Sequence, residues 1–193
     1  ELPESLKVLF RPVTVVVPDM GLICENMLMA EGFTEAKPLA LKFVTLYALL
    51  RDLLSKAMHY DWGMRAIKSV LVVAGGFKRG EPTVDEFALL FRALRDFNLP
   101  KIVGDDLVVF TGLLDDLFPG ISIPRKRDMT LEKAIEEAAI EMNLQPEAEF
   151  QLKVVQLIEL MAIRHSVFIL GTSGTGKSEI WKTLTKANTN IGN

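Results

Sequence analysis

Apolar residues recur at helical spacing along most of this chain. From about Met20, the residues Leu22, Ile23, Met27 and Leu28 fall on one helical face, and Gly32 supplies a C-terminal stop. Over residues 34–56, Leu39, Phe43, Leu46, Leu50, Leu53 and Leu54 follow three- and four-residue steps, with Pro38 inside the first turns, where proline is best tolerated. A third helix begins near Gly63, carries Ile67, Val70, Leu71 and Ala74 on one side, and is expected to end at Gly75-Gly76. After a loop over residues 78–82, residues 87–96 form a fourth helix. Residues 105–118 form a fifth, closed by Pro119-Gly120. Beyond a linker-like stretch (residues 120–128), Thr130 is the expected cap of a helix running to Met142. Pro146 is placed in the first turn of another, which carries Phe150, Val154, Leu157, Ile158 and Met161.

Three segments break this pattern. Residues 2–10 read as a short helix with Pro3 in its first turn. Residues 13–17, bounded by Pro12 and Pro18-Asp19, read as a short buried strand. Residues 166–170 (Ser-Val-Phe-Ile-Leu) read as a fully buried strand, and residues 179–186 as a helix after it. A strand at 166–170 needs sheet neighbours, and the chain as given offers it none.

Between that strand and that helix lies Gly171-Thr172-Ser173-Gly174-Thr175-Gly176-Lys177-Ser178, a complete GxxxxGK[ST] loop. Each fixed position has a physical reason. The glycines permit backbone conformations closed to other residues, so consecutive N–H groups can turn inward around a phosphate. A helix opening at Gly176-Lys177 aims its positive end at the same anion. Lys177 is placed to reach the outer phosphates, and the Ser178 hydroxyl to ligate a magnesium ion. The competing reading is a glycine-rich structural turn. Four such positions match by accident in roughly one chain in a hundred of this size, and the flanking strand and helix reduce that further. A nucleotide with magnesium is therefore the expected ligand.

Hydrolysis asks for more: an acidic residue at the end of a later strand, to hold magnesium and orient water. No apolar strand ending in Asp or Glu follows Ser178. Residues 15–19 and 102–106 each end in Asp, but they precede the loop and are broken by Pro18 or Gly104. No catalytic residue is assigned.

Composition narrows the remaining choices. The 193 residues carry a net charge of -3 with 49% apolar side chains, enough for a real core. No clustered basic face is evident, so nucleic acid is not an expected partner. The short run Arg125-Lys126-Arg127 reads as a solvated connector. No apolar run approaches the length of a bilayer span, and no membrane partner is expected. The single cysteine, Cys24, reads as a buried core thiol in a reducing compartment. His59 and His165 stand far apart and suggest no metal site of their own. Phe43, Tyr60 and Trp62 could form an adenine platform, but core packing is the better reading. The opening Glu1-Leu2-Pro3-Glu4 has neither an initiator Met nor a signal-peptide pattern, and the chain is read as part of something longer.

Several stretches resemble one family in order. Leu2-Pro3-Glu4-Ser5-Leu6 with Leu9-Phe10-Arg11-Pro12-Val13 is similar to the close of the large subdomain of an AAA+ module. The run from Tyr60-Asp61-Trp62-Gly63-Met64-Arg65 to Leu71 resembles the stretch that comes next in dynein heavy chains. Leu94-Arg95-Asp96-Phe97-Asn98-Leu99-Pro100-Lys101 continues the likeness, and the phosphate loop lies where that family's second module begins. The wording is most like axonemal heavy chains of the outer-arm beta type.

The resemblance implies a mostly α chain: an AAA+ small helical lid subdomain followed by the first strand, P-loop and helix of an α/β P-loop domain. Residues 1–19 would end the large subdomain of module one. Residues 20–122 would form its lid, and residues 123–193 a linker and the start of module two. By the same resemblance Arg65 is the sensor-2 arginine of module one, touching a nucleotide held by a P-loop elsewhere in the protein. Arg11 stands at an arginine-finger position with an interfacial rather than catalytic role. The implied whole is an ATP-driven microtubule motor of the cytoplasm, cytoskeleton and ciliary or flagellar axoneme, with neighbouring AAA+ modules and dynein intermediate and light chains as partners. The implied second module binds ATP without rapid turnover, and this stretch alone is not expected to be a competent ATPase. The alternatives are a helical interaction scaffold, or another P-loop machine such as an AAA+ remodeller or a kinase.

Overall fold

The computed structural model describes residues 3–121, 123, 128–163 and 166–192, and among these all regular structure is helical. The helices are α1 (Glu4–Lys7), α2 (Met20–Ala30), α3 (Ala36–Leu53), α4 (Met64–Gly80), α5 (Glu86–Asn98), α6 (Asp106–Leu117), α7 (Met129–Glu141), α8 (Ala148–Ile163) and α9 (Lys177–Gly192). A 3-10 turn, Leu99–Lys101, joins α5 towards α6.

Two hydrophobic cores form, with no buried residue in common. In the first, α2 packs on α3 and α4, α4 on α5, and α3 on α6. Its centre is filled by Leu28, Leu39, Phe43, Leu46, Leu50, Val70, Leu71, Leu90, Leu94, Phe110 and Leu114, all fully or almost fully buried. Leu28, Leu39, Phe43, Leu46, Leu50, Val70 and Leu71 are positions that the three- and four-residue spacing picks out, because residues so spaced share one face of a helix. Cys24 is buried among them, and burial pushes its thiol up to about 11. Phe43 is fully buried and stacks on Tyr47 with ring centroids 4.6 Å apart, and Tyr47 meets Trp62 edge-on at 5.6 Å. The aromatics are thus packing. The second core joins α7, α8 and α9 through Ile135, Ala138, Val154, Leu157, Leu184 and Ala187.

Helix ends follow side-chain chemistry. Asp19 caps α2 by accepting from the N–H groups of Gly21 and Leu22 at 2.9 and 3.2 Å, so the aspartate of residues 15–19 is a cap. Gly32 adopts φ +91, a left-handed conformation that favours glycine, and ends α2 as expected. Asp128, rather than Thr130, caps α7, accepting from Thr130 and Leu131 at 3.0 and 3.2 Å. Aspartate is the stronger cap, and it stands one residue ahead of the helix, where the cap belongs. Pro146 lies ahead of α8, and its carbonyl accepts the Gln151 side-chain amide at 3.0 Å.

Other expectations are corrected. Gly75-Gly76 does not end α4, which runs on to Gly80 through what was expected to be loop. The reason for one glycine is tertiary: a Cβ on Gly75 would sit 2.0 Å from Oε2 of Glu31, at the end of α2. Residues 13–17 form no strand. Val13, Val15, Val16 and Val17 are between 77% and 89% exposed, and among the described residues no neighbouring strand supplies a hydrogen-bonding ladder. Residues 166–170 form no regular element, and alternate side chains differ in burial. Val167 and Ile169 pack on the second core, whereas Phe168 and Leu170 are 85% and 73% exposed. Arg125-Lys126-Arg127 and His165 lie outside the described residues. Among the described residues no helix is long and apolar enough to cross a membrane.

Candidate nucleotide site

The loop 171–178 runs from residues 166–170 into the N-terminus of α9. Gly174 and Gly176 adopt φ +82 and +75. Neither is forced by crowding, since a Cβ at either would meet nothing within 4 Å; it is the left-handed backbone that calls for glycine. Gly171 is different: a Cβ there would approach the Thr175 hydroxyl to 3.0 Å. That hydroxyl donates to the Thr172 carbonyl at 2.9 Å and closes the loop on itself.

The Gly176 carbonyl accepts the N–H groups of Glu179 and Ile180 at 3.0 and 3.1 Å, which starts α9. Thr175 turns back on Thr172, and the N–H groups of Gly174, Gly176, Lys177 and Ser178 find no acceptor among the described residues. An exposed row of unused donors at a helix start, carrying the positive end of the helix dipole, is a natural seat for an anion. The Lys177 ammonium folds back to donate to the Thr172 carbonyl, inside the curve of the loop. Ser178 is exposed on the first turn of α9, beside Lys177. The donor set therefore suits a phosphate chain: backbone N–H groups, one ammonium and one hydroxyl.

Two clefts border the loop. One, of about 560 Å³, is lined by Met161, Val167, Ile169, Lys177, Ser178 and Trp181. The other, of about 440 Å³, is lined by Thr172, Thr175 and Lys177 together with Pro100 and Val103 from the connection between α5 and α6. Trp181, about half exposed, gives the first cleft an apolar wall that the sequence reading did not single out.

The structure brings Gly171, Thr172, Ser173, Gly174, Thr175, Gly176, Lys177 and Ser178 into this one loop. Arg65 is elsewhere: it stands exposed in the first turn of α4 and lines neither cleft. Its helix opens at Gly63, whose extended backbone (φ -86, ψ -178) is turned by Asp61, which accepts the Gly63 N–H at 2.9 Å. Arg11 is exposed in the irregular segment after α1. Asp106, the other aspartate weighed as a hydrolytic acid, is engaged with Ser55 and Tyr60.

Sequence reading also passed over Glu86, a buried carboxylate that ties three elements. It accepts from the Thr34 N–H and hydroxyl at 3.0 and 2.9 Å, from the Glu35 N–H at 2.9 Å, and from Lys78 at 2.8 Å. Burial by itself would raise its carboxyl. The hydrogen bonds from Lys78, Glu35 and Thr34 outweigh burial together and bring it from 4.5 to about 2. Nothing in one dimension separates Glu86 from an ordinary acidic residue in a first helical turn.

A largely helical chain with a phosphate-loop sequence opening a helix defines the class: a P-loop-bearing chain. The family described as the hydrolytic ATP binding site of the dynein motor region matches residues 1–178, and the chain belongs to that dynein family. It is 62% identical over 191 residues to human dynein axonemal heavy chain 17, and 60% identical over 191 residues to the ciliary dynein beta chain of Tripneustes gratilla. It is also 63% identical over 187 residues to the flagellar outer-arm dynein alpha chain of Chlamydomonas reinhardtii. These alignments cover 97% or more of the chain but only 4% of each relative.

Proposed function

We propose that this chain serves an ATP-driven microtubule motor by supplying the helical lid of one AAA+ module and the phosphate loop of the next. Residues 1–19 close the large subdomain of module one, residues 20–122 form its lid with Arg65 as the sensor, and residues 123–193 link to and begin module two. Residues 171–178 hold the phosphates of ATP, with Lys177 at the outer phosphates and the Ser178 hydroxyl at magnesium. Residues 166–170 become the first strand of module two once sheet neighbours flank them. The observation that carries this reading is the loop itself: a complete GxxxxGK[ST] sequence with Gly174 and Gly176 left-handed and unused N–H groups at the start of α9.

ATP supplies the driving force as substrate. The chain's residues bind it and register its loss: departure of the outer phosphate frees Arg65, and the lid turns against the neighbouring module. Hydrolysis at the second site needs an acid from outside residues 1–193, and that site binds ATP without rapid turnover. The axonemal, ciliary and flagellar names of the relatives support a site of action in the axoneme of a cilium or flagellum, and this reading assigns microtubules and the intermediate and light chains as partners.

The test is ATP binding, with magnesium, by this chain extended through the remainder of the second module. Lys177→Ala is expected to lose at least about tenfold in affinity, the worth of one hydrogen bond from a charged group. Equal affinity in the two proteins, or no binding by either, makes the loop architectural and favours the scaffold reading.

A further inference from the structure

Arg65 can sense a phosphate only if the backbone that carries it is held in place. The segment that delivers it, residues 54–63, forms no regular element, so its position is set by what grips it. The grip comes from the connection between α5 and α6. The Tyr60 hydroxyl donates to Oδ2 of Asp106 at 2.9 Å and accepts the Val103 N–H at 3.2 Å. Asp106 also accepts the Ser55 N–H at 3.1 Å and the Ser55 hydroxyl. One carboxylate thus holds the segment at two points, Ser55 and Tyr60. Around it, Nε2 of His59 meets the Lys101 carbonyl at 2.8 Å, and the Lys101 ammonium lies 4.7 Å from the Trp62 ring centroid. Trp62 in turn stands 5.7 Å from Tyr60, centroid to centroid. Asp61 then turns the chain into Gly63, and Arg65 follows in the first turn of α4.

We propose that Tyr60, held by Asp106, is a positioning residue for Arg65, fixing the start of α4 so that the guanidinium meets the nucleotide of the first module. This rests on the reading of Arg65 as that module's sensor. Misplacing a charged contact by about 1 Å can cost about a hundredfold, so a tie within five residues of the arginine has leverage. The removal of one hydroxyl is a small enough change to leave the buried core alone.

The experiment uses the full-length heavy chain with Arg65→Ala, Tyr60→Phe, Asp106→Asn and the double variant Tyr60→Phe/Arg65→Ala. Affinity for a fluorescent ATP analogue, kcat and KM, hydrogen exchange at residues 61–66 and the thermal midpoint are measured for each. Tyr60→Phe is expected to weaken nucleotide affinity by about two- to thirtyfold and to speed exchange at residues 61–66 with the midpoint unchanged. In the Arg65→Ala background it is expected to do nothing further, because a residue that acts through the arginine has no effect once the arginine is gone. Asp106→Asn, which keeps an acceptor for Tyr60 and Ser55, is expected to fall between wild type and Tyr60→Phe. A Tyr60→Phe loss of equal size in both backgrounds, or no loss in either, overturns the positioning role while leaving the sensor intact. An Arg65→Ala protein indistinguishable from wild type overturns the sensor reading itself, and the positioning role with it.

Discussion

Glu86 shows how much one side chain can carry when four donors converge on it. Its folded-state carboxyl, near 2, lies below the usual 4.5, so its contribution to stability is fully present above about pH 4.5 and is lost as pH falls towards 2. Glu86→Gln is expected to cost on the order of 3 kcal/mol at pH 7, from the size of that shift. The gap between variant and wild type is expected to close as the solution is acidified. Urea unfolding of both proteins at pH 7 and pH 3 measures it, and an equal gap at the two pH values refutes the assignment. Cys24, fully buried with its thiol raised to about 11, is expected to resist alkylation until the chain unfolds. A thiol-labelling time course in native buffer and in denaturant checks this.

Among the elements, α4 carries the most informative contrast. Gly75 and Gly76 are neighbours in one helix with opposite surroundings: a Cβ on Gly75 runs into the Glu31 side chain, and one on Gly76 meets nothing within 4 Å. Gly76→Ala is expected to stabilise the protein by about 0.5–1 kcal/mol, since alanine is the better helix former. Gly75→Ala obliges the Glu31 carboxylate to leave Arg79, with which it pairs, and is expected to cost about 1 kcal/mol or more. Thermal melts of the two variants decide the matter, and changes of the same sign refute the packing account. The cap at α7 is a second case at this scale. Loss of the Asp128 carboxylate in Asp128→Ala leaves two N–H groups unpaired and is expected to cost about 1 kcal/mol.

For the molecule as a whole, the division into two cores matters most. The first is built from five packed helices, whereas the second has three and leaves Phe168 and Leu170 in solvent. Burial sets stability, so the two are expected to unfold in separate steps, the α7–α9 unit first. Denaturant titration followed by Trp62, on the first core, and Trp181, on α9, can resolve the steps. Coincident transitions refute the division. In the chain extended through the second module, amides of residues 166–170 are expected to gain protection from hydrogen exchange, as a strand does when neighbours arrive.

The helices, the phosphate loop and the family resemblance were legible in the order of residues, and for a shared reason. Helical faces are written in local spacing, and the loop's chemistry needs eight consecutive residues, so both survive in one dimension. The left-handed glycines at 174 and 176 and the stop at Gly32 fall in the same class, because backbone conformation is a local property. What only the tertiary structure decided involves residues far apart in the chain. Gly75 is small because Glu31 lies over it, Glu86 is buried because Thr34 and Lys78 surround it, and Tyr60 finds Asp106 across a connection. The residues at 13–17 and 166–170 mark the same boundary from the other side. Their apolar runs predict strands, but a strand is a property of the sheet around it, and no pattern within the segment can supply the neighbour.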